Sequence, residues 1–223
     1  MSLSAVENLN NIQHKVQQCL KEAKRPTDQT HVLIASKTRD EHNIRPLLKS
    51  GHRLFGENRV QEALSKWPSL QQEFPDTKLH LIGPLQTNKT KEAVKLFDLI
   101  ETLDREKLAR CLQKEMAEQN KNLPCFIQVN TGEEPQKKGI LPAELDDFYH
   151  LCVEECQLQV TGLMCIPPQN EAAALHFALL ANLAKKYNLT QLSMGMSADF
   201  QTALLFNSSE IRIGSDIFGP RTP

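Results

Sequence analysis

The sequence predicts an α/β protein of the (β/α)8 TIM-barrel class with an extra N-terminal helix. Three observations predict it: eight short apolar runs recur along the chain, segments of helix composition separate them, and 223 residues is a length at which eight such units close as one domain. A doubly wound open sheet is the main competitor. A nucleotide-binding sheet of that kind carries a glycine-rich turn after its first strand, whereas this chain has SKTRD at residues 36–40.

The elements follow in order. Residues 4–24 place Val6, Leu9, Val16, Leu20 and Ala23 at helical spacing behind a Ser4/Glu7 capping-box pattern. After the RPTDQT break come strand-like runs at HVLIAS (31–36), HRLFG (52–56), LHLIG (79–83), FDLIET (97–102), PCFIQVN (124–130), QVTGLMCI (159–166), QLSMG (191–195) and IRIG (211–214). Among the intervening segments, 104–121 aligns Leu108, Leu112 and Met116 behind an expected Asp104 N-cap, and 170–187 aligns Phe177, Leu180 and Ala184. Only SDIFGPRTP follows Gly214, too short for a full final helix plus cap. The helix of residues 4–24 is therefore expected to cover the barrel where the last strand meets the first. No repeat or linker divides the chain, so residues 1–223 read as a single domain.

Composition narrows the function. Hydrophobic residues make up 40% and the formal net charge is −1, which indicates neither disorder nor a polyanion-binding surface, so nucleic acid is not a favoured partner. No apolar stretch approaches the roughly 20 residues that span a bilayer, and the N-terminus is amphipathic rather than a charged start followed by an apolar block. No membrane association is expected. The six cysteines are scattered without a CxxC pair, which suits reduced thiols in the cytoplasm. Cys152 and Cys156 lie four apart, ordinary same-face helix spacing, and no metal site is expected.

In a barrel the residues just after each strand line the functional mouth. Here they are Lys37, then Glu57 and Asn58, then Gln86, Asn88 and Lys89, then Asn130, then Ser197, and finally Arg212, Gly214 and Ser215. A lysine at a strand end can simply snorkel into solvent. Partly desolvated at a barrel mouth, its pKa falls and its neutral amine can attack an aldehyde; an adjacent Glu57 would oppose that shift. Ser197 and the RIGS segment suit a phosphate cradle, and Ser197 also fits as the N-cap of the ADFQTALL helix. Arg212 inside an apolar strand needs an acceptor. His80 reads as a hydrogen-bonded core histidine, and the NKTKEAVK and EEPQKKG segments as solvated surface.

Taken together, these residues resemble the pyridoxal 5′-phosphate (PLP) homeostasis protein family, single-domain relatives of the alanine racemase barrel. The resemblance runs through IASKT, FGENRVQE, LHLIGPLQTNK, QVNTGEEPQKKG, GLMCI, LSMGMSADF and IRIGSDIFG, nearly the whole chain. It implies a fold type III PLP barrel, with Lys37 in aldimine linkage to PLP and Asn58 near the ring. It also implies Met196, Ser197, Gly214 and Ser215 at the phosphate and Arg212 at the pyridine nitrogen. A permanently cationic arginine there disfavours protonation of the nitrogen and weakens PLP as an electron sink. The implied role is buffering or delivery of PLP to PLP-requiring apo-enzymes, with Lys89, Lys137 and Lys138 as candidates for transfer. An amino-acid racemase is the alternative. It needs a second acid/base group, which the racemases draw from a further domain; this chain ends after the barrel, and Tyr149 and Tyr187 fall in outer helices. A monomer is expected on the same ground. The family pattern has glycine, serine and threonine before the arginine strand, where this chain carries Asn207, Ser208 and Ser209, a departure at the glycine and threonine positions.

Overall fold

The computed structural model describes residues 4–219, in which eight parallel strands close into a barrel in sequence order. They are β1 (His31–Ala35), β2 (Leu54–Glu57), β3 (Lys78–Leu81), β4 (Leu99–Leu103), β5 (Cys125–Val129), β6 (Val160–Cys165), β7 (Gln191–Met196) and β8 (Glu210–Ile213). Each lies where an apolar run places it. The seam closes by parallel pairing of β8 with β1, from Glu210 opposite His31 to Ile213 opposite Ile34.

The helices outside the strands are α1 (Ala5–Glu22), α2 (Glu41–Lys49), α3 (Val60–Glu73), α4 (Thr90–Leu96), α5 (Glu106–Glu118), α6 (Leu145–His150), α7 (Ala173–Lys186), α8 (Phe200–Leu205) and α9 (Ser215–Phe218). The Ser4/Glu7 capping box is formed, and α1 buries Leu9, Ile12, Val16 and Leu20. Its Asn8 Nδ2 donates to the Ile217 carbonyl of α9 at 3.0 Å, so α1 covers the β8–β1 seam as expected. Asp104 does not cap α5: Arg105 occupies the N-cap position, and the Asp104 carboxylate accepts from its guanidinium instead. After α6 the chain widens into a π-helical turn at Leu151–Glu155, and Cys152 and Cys156 are buried free thiols, their pKa values pushed up by burial. None of the helices among the described residues is long and apolar enough to cross a membrane.

Strand periodicity divides the core into two layers. Val32, Ile34, Phe55, Leu79, Leu81, Ile211 and Ile213 join the large outer cluster against the helices, whereas Leu99, Phe126 and Met164 form a separate small cluster. Ser193 of β7 hydrogen-bonds Glu101 of β4, strands that are not neighbours, so these side chains meet inside the barrel. The interior is thus apolar in part only. His80, Glu101, Ser193, Glu210 and Arg212 add a polar set to it, and His80 is indeed a hydrogen-bonded core histidine.

Candidate functional site

A cavity of about 330 Å³ opens at the C-terminal ends of the strands, lined by Lys37, Asn58, Met196, Ser197, Arg212, Gly214 and Ser215 together. Ile82, Ile166 and Phe218 complete its apolar wall. Ile166 is 39% exposed, one of three large hydrophobic residues left open in the described structure, and it faces this cavity.

Lys37 sits on a short link between β1 and α2 that is held from beneath by another lysine. Lys66 of α3 is buried, and its Nζ donates to the carbonyls of Ser36 (3.0 Å) and Arg39 (2.8 Å), one on each side of Lys37. The same ammonium pairs with Glu57 Oε1 and Glu62 Oε1, each at 2.9 Å. Glu62 also accepts the Thr38 amide. Thr38 has φ 61°, left-handed backbone that a β-branched residue adopts only when its surroundings enforce it.

Glu57 serves this support. Its Oε1 accepts from Ser36 Oγ (2.6 Å) and Trp67 Nε1 (3.0 Å) and is ion-paired with Lys66. Burial pushes its carboxyl pKa up, opposed by the Lys66 charge and these hydrogen bonds. Glu57 thus anchors the strand end to α3.

Asn58 follows directly, positioned by a close approach of backbone. A Cβ added at Gly83 would stand 2.3 Å from the Asn58 carbonyl oxygen and 2.6 Å from its Cα, so only glycine fits. Replacing Gly83 with Ala must displace Asn58 and is expected to cost about 1–3 kcal/mol in urea unfolding.

On the opposite wall Ser215 Oγ donates to Ser197 Oγ at 3.1 Å. Ser197 does not cap the helix that follows; Asp199 takes the N-cap position of α8, and its carboxylate accepts from the Met196 amide at 2.7 Å. Gly195 has φ 98°, and a Cβ there would meet Ala203 Cβ at 2.7 Å, so α8 packs directly against the strand. Arg212 finds the acceptors its position demands: Nη1 donates to Ser193 Oγ (2.6 Å) and Nη2 to the Cys165 carbonyl (2.8 Å).

The other predicted residues separate. Lys89 and Lys138 line a second cavity of about 830 Å³ with Arg59 and Arg105, which meets the first at Asn58. Lys137 is paired with Glu134 at 2.6 Å. The 207–209 loop precedes β8 and therefore lies at the N-terminal end of the barrel, away from the mouth. Asn207 has φ 64°, preserving the turn, and Ser209 Oγ accepts from the Leu192 amide at 2.7 Å. Lys66 and Glu62 carry no signal in the sequence beyond the i,i+4 spacing of a pair.

Residues 8–222 match the family model "Alanine racemase, N-terminal domain". A protein of Vibrio cholerae named pyridoxal phosphate homeostasis protein is 37% identical over 228 residues, covering 98% of this chain and 97% of its own length. Its namesake in Pasteurella multocida is 36% identical over 225 residues, covering 96% and 97%. PipY of Synechococcus elongatus, whose structure was solved with PLP bound, superimposes with a TM-score of 0.79 at 32% identity, over 92% of this chain and 100% of its own. An alanine racemase of Clostridium difficile shares the fold alone, with a TM-score of 0.73 at 12% identity over 99% of this chain and 57% of its own. The chain belongs to the pyridoxal phosphate homeostasis protein family, built on the alanine racemase N-terminal barrel.

Proposed function

We propose that this protein binds PLP at the barrel mouth through a reversible imine bond to Lys37 and acts in PLP homeostasis, buffering the cofactor or delivering it to PLP-requiring apo-enzymes. The observation that carries this reading is the convergence of Lys37, Asn58, Arg212 and the Ser197/Ser215 hydroxyl pair on one small cavity. Its volume of about 330 Å³ lies at the lower end of the range for small-molecule sites. The donor set suits a phosphorylated pyridine aldehyde: an amine for the aldehyde, hydroxyls and glycine backbone for the phosphate, and apolar walls for the ring.

Lys37 is the amine that would hold the aldehyde carbon in a C=N bond, its two amine protons leaving with the carbonyl oxygen as water. Water, or exchange with an acceptor's lysine, would reverse that bond and release the ligand. When bound, PLP supplies an electron sink for amino-acid substrates, and Arg212 at the ring nitrogen would weaken that sink because its guanidinium stays charged. Met196, Ser197, Gly214 and Ser215 would hold the phosphate, and Asn58 the ring edge.

Delivery without robust catalysis is supported by the placement of the tyrosines. Tyr149 and Tyr187 stack on each other at 4.2 Å, with Tyr187 Oη donating to Asp146 at the helix layer, so neither offers the mouth a second acid/base group. The six free cysteines support a reducing compartment, the cytoplasm, and a monomer completes the reading.

The test is borohydride reduction of PLP-incubated protein, followed by peptide mapping. We expect a visible absorption band that reduction removes, with the label on Lys37, and loss of both in Lys37→Ala. Label on another residue, or none, overturns the site. Rapid α-proton exchange of amino acids that Lys37→Ala abolishes would overturn the carrier role in favour of a racemase.

A further inference from the structure

Arg212 is tied to the far end of the barrel by a continuous line of buried polar groups. The Ser193 hydroxyl that accepts from its Nη1 lies 2.5 Å from Glu101 Oε2 and 3.1 Å from Glu210 Oε1. His80 Nδ1 bridges the two carboxyls, 3.0 Å from Glu101 Oε1 and 3.2 Å from Glu210 Oε2. The four elements β3, β4, β7 and β8 contribute one link or more each. Glu101 is fully enclosed, whereas the His80 side chain is 12% exposed, into a cavity of about 750 Å³ at the N-terminal end of the barrel. The line therefore begins in solvent at one end and finishes at the mouth cavity at the other.

Hydrogen counting makes this line a two-state element. Ser193 Oγ accepts from Arg212, so its single hydrogen goes to one carboxyl at a time. His80 Nδ1 likewise has one hydrogen for two oxygens. Two buried carboxyls this close ionise together only with a proton or cation between them. Burial, reinforced by the Glu210 charge, pushes Glu101 up. Glu210 is held low against its burial, chiefly by His80, and His80 is held high against its own by Glu210 and Glu101. The facing groups are these two carboxyls and, on the cavity rim, Arg25, His31, Arg53 and Lys78, of which Arg53 pairs with Asp76 and Lys78 with Asp98.

We propose that Ser193, Glu101, Glu210 and His80 are positioning residues for Arg212, fixing its guanidinium at the mouth and making the field it presents there depend on the proton held at the opposite end. The assignment rests on the reading of the mouth as a PLP site. Coupling between sites is reciprocal, so a ligand at the mouth shifts proton affinity at His80 by the factor with which that proton shifts ligand affinity.

The experiment follows the His80 imidazole by 15N NMR across pH in full-length apo and PLP-loaded protein, alongside the pH midpoint of the absorption band. Loading is expected to shift His80 proton affinity at least threefold, Ser193→Ala to abolish that shift, and Ser193→Thr, which keeps the hydroxyl, to restore it. In apo protein, Ser193→Ala is expected to move the His80 midpoint by itself. An unmoved midpoint in that variant overturns the coupling whether or not PLP binds. If Ser193→Ala does not fold, His80→Gln at the far end must move the band's pH midpoint, and an unmoved midpoint overturns the proposal. Lys37 labelled while His80 ignores loading defeats this inference alone; no label on Lys37 defeats the PLP reading itself.

Discussion

Lys66→Met is expected to lower the free energy of unfolding by about 3–5 kcal/mol, measured by urea denaturation at neutral pH, because it strands the buried Glu57 carboxylate without its ammonium. Glu57 is fully buried and the Lys66 side chain is 6% exposed, so solvent screens this pair little. The sign of the pH dependence follows from the direction in which Glu57 is already pushed. Its folded pKa lies above the ordinary carboxylate value because burial outweighs the Lys66 charge, and removing that charge raises it further. A group shifted upward contributes favourably below its unfolded pKa and loses that contribution as pH climbs through the folded one. The deficit of Lys66→Met should therefore shrink in mild acid, where Glu57 is neutral, and widen toward neutrality. Glu57→Gln in the same background should recover much of the loss; no recovery would mean that Lys66 stabilises through the Ser36 and Arg39 carbonyls and Glu62 rather than through Glu57.

Trp67→Ala is expected to cost a similar amount, about 3–5 kcal/mol, by leaving a cavity in the outer core. The indole is completely buried between β2 and the helix layer, its ring 5.1 Å from that of Phe55. Trp67→Phe separates the two contributions of that side chain. It refills most of the volume but removes the Nε1 donor to Glu57, and a lost hydrogen bond to a charged, buried acceptor costs about 1–3 kcal/mol. A Phe variant as stable as the parent would show that Ser36 and Lys66 suffice to solvate the carboxylate.

The eight strands were legible because parallel strands covered by helices read as short apolar runs, and their helices announced themselves by spacing. Lys37, Asn58 and Ser197 were legible as candidates because a barrel delivers the residues after each strand to one rim, and Arg212 because a guanidinium inside an apolar strand demands acceptors. What supports them was not. Glu62 and Lys66 look like an ordinary surface ion pair on a helix, and nothing in their spacing reveals that α3 places that pair under the Lys37 link. The interior line was hidden for a related reason. Glu101, Ser193 and Glu210 are polar residues on three strands separate in sequence from β3, and only closure of the barrel brings them to His80. Asp104 failed as an N-cap because Arg105, next to it, competes for the same carboxylate.

A link clamped at two carbonyls, with a left-handed threonine between them, has already surrendered its freedom before any ligand arrives. The entropy of ordering Lys37's backbone is charged to folding rather than to capture, so the empty and filled forms should differ little around it. Under the proposed imine at Lys37, residence time would then be a matter of covalent chemistry: release would wait on hydrolysis or exchange of a single C=N bond, not on the opening of a gate.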